Sequence, residues 1–286
     1  MNKVEVLIEA LPYIKKFAGK TFVIKYGGSI MENEKSKMAF IEDVALLKLV
    51  GINVVIVHGG GSKITEMLTI MNIPVKFKNG LRVTDKATVE IVEMVLSGKI
   101  NKEITGELCK HGLSAIGISG RDGSLLKAEK AYAYDGDKKV DIGFVGKITK
   151  VNKDLVGKLI EDGYVPVISP VAEDEHGNVY NVNADYVAES ISSAIKAEKL
   201  IILSDIKGLF RDVNDEETFV SSIKVGEVRE MIKQSFIGGG MIPKMECCIK
   251  AIEEGTKDVH IIDGRVKHSL LTEIFTNAGN GTMIRW

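Results

Sequence analysis

Continuous apolar runs alternate along this chain with stretches whose apolar residues recur every three or four positions. Phe22-Val23-Ile24-Lys25-Tyr26 and Val54-Val55-Ile56-Val57 are runs of the first kind, the pattern of a strand buried on both faces of a parallel sheet. Strands are predicted at 21–26, 53–58, 113–118, 164–169, 200–203, 258–262 and 281–285. Helical periodicity predicts helices at 3–17, 36–50, 61–71, 87–110, 151–162, 184–197, 226–234 and 242–255. The first carries Val4, Leu7, Ile8, Leu11 and Ile14 on one stripe, with Pro12 inside it as a predicted kink. Residues 124–150 differ in character. Short strands and turns such as Asp135-Gly136-Asp137 predict antiparallel hairpins on one edge, and Glu173–Asn178 predicts another hairpin turn. The alternation as a whole predicts an α/β fold with a mostly parallel sheet covered on both faces. No repeat or low-complexity linker interrupts it, so the two halves are expected to be lobes of one continuous sheet.

Two of the strands stop at glycines. Lys25-Tyr26 runs into Gly27-Gly28, and His58 runs into Gly59-Gly60-Gly61. Glycine lets backbone N–H groups turn toward a ligand with no side chain in the way. Such groups at the carboxyl ends of parallel strands, beside a helix N-terminus, suit phosphates. Lys25 adds a positive charge. Neither loop is a nucleotide-binding motif of the G-K-[ST] or G-x-G-x-x-G kind, because Gly61-Ser62-Lys63 has the wrong order and Ile64 holds the last glycine position.

Composition narrows the field. With 286 residues, 45% of them hydrophobic, the chain can bury a large core. A net charge of −1 argues against a nucleic-acid partner. No apolar run reaches the length of a membrane span, and Met1–Phe17 is too charged for a signal peptide. The cysteines are odd in number, Cys247 and Cys248 are adjacent, and none with Cys109 shows metal-ligand spacing, so a reducing cytoplasm is expected.

Four further segments carry candidate chemistry, each with a plainer reading beside it. Arg82 in Asn79-Gly80-Leu81-Arg82-Val83-Thr84 can grip a carboxylate bidentately, or stand solvated on the surface. Asn181 and Asn183 in Asn181-Val182-Asn183-Ala184-Asp185 face one side of an extended segment; Asn183 can equally be a helix cap, and Asp185 in the first helical turn can position a lysine. Lys244 in Gly238-Gly239-Gly240-Met241-Ile242-Pro243-Lys244 stands at a helix N-terminus, a poor place for a cation unless an anion binds there, or is simply an exposed lysine. Ser204, Asp205, Gly208, Leu209 and Phe210 follow a strand end, where a nucleotide pocket or an ordinary loop fits equally. His58 reads as structural or catalytic with equal ease.

In their order and spacing, Lys25-Tyr26-Gly27-Gly28, His58-Gly59-Gly60-Gly61, Asn79–Thr84, Asn181–Asp185 and Gly239–Lys244 resemble the amino-acid kinase family, and within it the acetylglutamate kinases. The resemblance implies an open three-layer αβα sandwich as one domain over 1–286. Its parts would be an N-terminal interaction helix at 1–18, an acyl-amino-acid lobe at 19–183 and an ATP lobe at 184–286. It implies transfer of the γ-phosphoryl group of ATP, with Mg²⁺ carried by the nucleotide, to the side-chain carboxylate of N-acetyl-L-glutamate, the second step of arginine biosynthesis. Lys25 and Lys244 would stabilise the phosphoryl group, Asp185 would orient both, and Gly28 with Gly60 would hold phosphoryl oxygens. Gly60, Gly61, Arg82, Asn181 and Asn183 would hold the acyl substrate, and Ser204, Asp205, Gly208, Leu209 and Phe210 the nucleotide. The N-terminal helix and the tail His260–Thr276 resemble the branch inhibited by L-arginine, a hexamer built as a trimer of dimers, with Tyr13, Glu273 and Gly279 as candidate contacts. Lys267 departs from that tail pattern, where proline is common. Three other readings stand beside this one: a kinase of the same fold for glutamate, carbamate or UMP, an amino-acid sensor without catalysis, and a scaffold built on the first helix.

Overall fold

The computed structural model describes residues 3–212, 215–234, 236–238, 241–277 and 279–286. Eight strands form the main sheet, in the spatial order 222–224, 282–285, 258–263, 199–204, 21–26, 53–58, 165–169, 115–119. Each neighbouring pair is parallel except 258–263 against 282–285. The four strands of residues 199–285 lie together on one side of this sheet and the four of residues 21–169 on the other, with Thr21–Tyr26 at the junction.

That central position explains the apolar runs. Successive side chains of a strand point to opposite faces. Val23, Val55 and Val57 enter one core, while Phe22, Ile24, Val54 and Ile56 enter the other. Val187, Ile191, Val228, Met245 and Cys248 cover the first face from helices Ala184–Ala194, Val225–Lys233 and Met241–Glu253. Phe40, Val44, Leu68 and Ile274 cover the second from helices Glu34–Leu49, Gly61–Ile70 and Ser269–Phe275. Burying each such side chain contributes about 1.5–3 kcal/mol. The layers are helix, sheet and helix, as the sequence predicts.

Three features differ from the sequence reading. Residues 126–135 and 138–151 form one long hairpin that closes with 171–173 and 179–181 into a small barrel, not short hairpins on the sheet edge. Closure lets Ala133, Ile142 and Val145 bury their own small core and removes exposed strand edges. The predicted helix 87–110 contains a π-helical stretch, Met94–Ile100, between Lys86–Glu93 and Asn101–Lys110. The helix Ser269–Phe275 was not predicted; its N-cap, His268, is in the left-handed region and accepts no recognisable capping signature.

The first helix, Lys3–Phe17, runs through Pro12. Phe17 anchors it, edge-on to Phe22 at 5.3 Å, while Ile8 and Leu11 face outward at 60% and 49% exposure. The Val4 and Leu7 side chains of its predicted stripe lie outside the described residues. Cys109 is exposed, Cys247 and Cys248 are buried, and all three are free thiols. Among the described residues no helix is long and apolar enough to cross a membrane.

Candidate active site

Strands 21–26 and 53–58 are in register, Tyr26 opposite His58, so their glycine loops leave the sheet side by side. The Gly59 N–H donates to the Tyr26 carbonyl at 2.7 Å. A Cβ on Gly27 would stand 3.4 Å from the Gly59 Cα, so the two backbones touch. Gly28 has φ +70°, a conformation that favours glycine. At Gly60 a Cβ would overlap Ile100 Cδ1 and come within 2.7 Å of Leu96 Cδ2. Both of those side chains come from the π-helical stretch, a distortion often found at functional sites.

The charged centre lies beside these loops. Asn183 ends an extended segment and caps helix Ala184–Ala194, its Oδ1 accepting from the Asp185 N–H at 2.8 Å. Asp185 therefore sits in the first turn, where its charge suits the helix dipole. Lys25 Nζ lies 3.2 Å from Asp185 Oδ1, and Lys244 Nζ lies 3.0 Å from Oδ2. Burial alone would raise the Asp185 carboxyl, but the two ammonium groups outweigh it and hold the group below the ordinary carboxylate range. Burial likewise pulls Lys244 down, and Asp185 more than restores it, leaving Lys244 above its ordinary value. Cys247 Sγ donates to the Asp185 carbonyl at 3.3 Å and ties the two helices together. Gly239 and Gly240 of the predicted loop lie outside the described residues; Pro243 and Lys244 stand in the first turn of helix Met241–Glu253.

Two adjoining cavities meet at this centre. One, of about 660 Å³, has Asn183, Asp185, Tyr186, Pro243 and Lys244 in its wall. The other, of about 200 Å³, is lined by Gly60, Gly61, Arg82, Leu96, Asn181 and Asn183, among others. Gly80, Leu81 and Asn183 belong to both. Arg82 is buried, packs over the Phe77 ring, and donates from Nη2 to the Gly61 carbonyl at 2.8 Å and to Thr65 Oγ1 at 2.9 Å. Its Nη1 is buried without a hydrogen-bond partner. Burial lowers its pKa, and no carboxylate among the described residues pairs with it. Asn181 Nδ2 reaches Thr84 Oγ1 at 3.4 Å.

The remaining predicted residues fall in two other places. Ser204 and Asp205 end strand 199–204, and Ser204 Oγ donates to Asp205 Oδ1 at 3.3 Å. Leu209 and Phe210 pair with Phe219–Val220, Gly208 approaches Thr282, and Leu209 is buried in the core. None of these five lines either cavity. Tyr13, Glu273 and Gly279 gather between the first helix and the tail. Tyr13 Oη donates to Asn277 Oδ1 at 2.6 Å, and a Cβ on Gly279 would stand 2.8 Å from Glu273 Oε2. Sequence reasoning missed Lys199 and gave His260 only as the start of the tail, with no role; both join this group. Lys199 Nζ donates to His260 Nε2 at 2.7 Å and His260 Nδ1 to Glu273 Oε1 at 2.6 Å. It also missed Leu96, Ile100 and Asn101, for which Gly98 inside a helical pattern was the sole local signal.

A parallel sheet with glycine loops at its carboxyl ends, and two lysines sharing one carboxylate there, defines a phosphotransferase. The profile of the Amino acid kinase family matches residues 20–263. An acetylglutamate kinase of Thermoanaerobacter pseudethanolicus is 54% identical over 282 residues, which is 99% of this chain and 93% of that one. That of Carboxydothermus hydrogenoformans is 52% identical over 288 residues, 99% of this chain and 98% of its own. Among solved structures, a carbamate kinase from Giardia lamblia bound to AMP-PNP superposes with a TM-score of 0.65 at 16% identity, over 94% of this chain and 99% of that one. An N-acetylglutamate synthase from Neisseria gonorrhoeae superposes at 0.87 with 24% identity, over all of this chain and 64% of that one. The chain belongs to the amino acid kinase family, among its acetylglutamate kinases.

Proposed function

We propose that the protein transfers the γ-phosphoryl group of ATP to the side-chain carboxylate of N-acetyl-L-glutamate, giving the acyl phosphate and ADP, as a step of arginine biosynthesis in the cytoplasm. The observation that carries this reading is the charge balance of the cleft. Lys25 and Lys244 share a single carboxylate, Asp185, and Arg82 in the adjoining cavity pairs with none among the described residues. A site with excess buried positive charge suits two anionic reactants whose mutual repulsion is the main obstacle.

The roles follow from position. The smaller cavity would take the acyl amino acid, with Arg82 Nη1 donating to a carboxylate and Asn181 and Asn183 near the acylated nitrogen. The larger would take the nucleotide, with Lys244 on its wall. ATP brings its own Mg²⁺ on the phosphates and supplies the phosphoryl group. A substrate carboxylate oxygen bonds to the γ-phosphorus, the bond to the β-phosphate bridging oxygen breaks, and ADP leaves with that electron pair. No general base is needed, because the attacking carboxylate is ionised near neutral pH. Lys25 and Lys244 would take up charge on opposite sides of the transferring group, and Asp185 would hold both in place. The N–H groups of Gly28 and Gly60 would hold its oxygens, and Ser204, Asp205 and 208–210, which line neither cavity, would border the nucleotide where it extends beyond the larger one. In this reading residues 19–183 and 184–286 act as two lobes.

The cluster beneath the first helix supports a second proposal, inhibition by L-arginine. Glu273, Tyr13 and the Gly279 backbone would meet it, and the outward Ile8 and Leu11 would pair subunits into a hexamer. Phosphorylation of N-acetyl-L-glutamate should be measured beside that of L-glutamate, with and without arginine. Activity on the acetylated substrate alone supports the catalytic reading; activity on neither defeats it. Loss of arginine response on deleting residues 1–17 supports the second proposal, and an unchanged response in an unchanged hexamer defeats it.

A further inference from the structure

His58 stands immediately before the triple glycine and is wholly buried. Its Nδ1 lies 2.9 Å from the Gly59 carbonyl and its Nε2 lies 3.2 Å from Asn101 Nδ2. Asn101 fixes which of the ring nitrogens carries the proton. Its Nδ2 also faces the Val167 carbonyl at 2.8 Å and the Ile118 carbonyl at 3.4 Å, and its Oδ1 accepts from Lys102 Nζ at 3.0 Å. Carbonyls only accept and an ammonium only donates, so the Asn101 amide has one allowed orientation. Its nitrogen then donates to His58 Nε2, which must be bare. The Gly59 carbonyl demands a donor at Nδ1. Both ends select the same neutral tautomer, with the proton on Nδ1.

This has a consequence for the loop. The Gly59 N–H is taken by the Tyr26 carbonyl. The Gly59 carbonyl is held toward the buried ring, and in a trans peptide the next N–H points the opposite way. The Gly60 N–H therefore points away from His58, toward the cavity that Gly59, Gly60 and Gly61 line, and it has no backbone partner among the described residues. Leu96 and Ile100 occupy the place of a Cβ on Gly60 and pin its Cα from the side. We propose that His58 and Asn101 form a tautomer lock that fixes the Gly59–Gly60 peptide and aims the Gly60 N–H at the transferring phosphoryl group. His58 is a positioning residue here, since it touches no reactant, and the aiming role rests on the phosphotransferase reading above. Burial, helped by the Lys102 charge and only partly opposed by the bond to the Gly59 carbonyl, pulls the His58 pKa down to about 4, in keeping with a ring that stays neutral while the enzyme works.

The test has two arms. Nitrogen-15 NMR of histidine-labelled protein, with His58 assigned by comparison with a His58→Asn variant, reads the tautomer directly. The expected result is a neutral Nδ1–H ring that does not titrate between about pH 5.5 and 8. Kinetics supply the second arm. His58→Leu should lower kcat about 10²-fold, the scale of losing one oriented donor, while KM for N-acetyl-L-glutamate moves by less than about threefold. His58→Asn keeps an N–H at the δ position and should recover at least about tenfold of that loss. An Nε2–H or charged ring at neutral pH overturns the lock, as does an Asn variant as slow as the Leu variant. Should the Leu variant fail to fold, the spectrum of the unaltered protein and the Asn variant still decide. A correct tautomer in a chain that phosphorylates nothing overturns the aiming role together with the kinase reading, and leaves the loop lock standing.

Discussion

Two clusters of buried charge sit at opposite ends of the same sheet, and they are built on different principles. At the amino ends, Lys199 donates to His260, His260 to Glu273, and Glu273 also accepts the N–H groups of Asn280 and Gly281 at 2.7 and 2.9 Å. Asp258 adds a second carboxylate 3.4 Å from Lys199. Every charge there is answered. At the carboxyl ends, two lysines divide one carboxylate between them and Arg82 keeps an idle buried nitrogen. A buried group left without a partner costs free energy, so an unanswered cluster persists where a ligand completes it. Helix N-termini gather at the carboxyl ends of parallel strands, and that electrostatic bias favours incoming anions there.

The contrast can be broken at either end. The largest effect is expected at the lysines: Lys25→Ala or Lys244→Ala should lower turnover at least about 10²-fold in a kinase assay. Near-normal turnover in either would remove the carboxyl-end cluster from the chemistry. Asp185→Asn should cost roughly 3 kcal/mol at neutral pH, because two buried ammonium groups lose their shared partner. The sign with pH follows from its depressed folded-state pKa. The carboxylate contributes stability above the unfolded value of about 3.9, and that contribution is lost as pH falls through the lower folded value. Urea midpoints of the parent and the variant should therefore converge on acidification below about pH 4; a constant gap down to about pH 2 would contradict the shift. At the other end, Glu273→Gln should lower stability by about 1–3 kcal/mol, read as a fall in melting temperature, since it weakens the bonds to His260 and to two backbone N–H groups. The smallest effect is expected for Arg82→Lys. KM for the acyl amino acid should rise about tenfold with kcat little changed, because an ammonium cannot reproduce the fork while also bonding Gly61 and Thr65.

Much of the carboxyl-end cluster was legible in the sequence. Lys25 and Gly28 follow a β-branched run, Asn183 and Asp185 open a helix, and Lys244 stands at a helix start, where the dipole disfavours a cation. Each carries a local signal at a strand or helix end. The amino-end cluster was half legible: Glu273 and Tyr13 came from resemblance, while Lys199 and His260 look like interruptions of apolar strands. Their meaning depends on the sheet order that brings 199–204 beside 258–263, which no window of sequence contains. The small barrel was missed for a similar reason. Its hairpin is local, but its closure by 171–173 and 179–181 pairs segments far apart in the chain. The π-helical stretch escaped because it spans only Met94–Ile100 inside a longer helical pattern, too short a window to show its own period.

The place of strand Thr21–Tyr26 has a consequence during synthesis. One edge can be paired as soon as Val54 and its neighbours emerge, but the other waits for Lys199–Ser204. At ribosomal speeds of about 5–20 residues per second, that edge stays open for roughly ten to thirty seconds in every newborn chain. An unpaired, flat, apolar edge is a template for association with other chains. Holdase chaperones should therefore meet this protein mostly as a nascent chain stalled before Lys199, and slowing translation upstream of that point should lower the soluble yield without altering any contact of the finished fold.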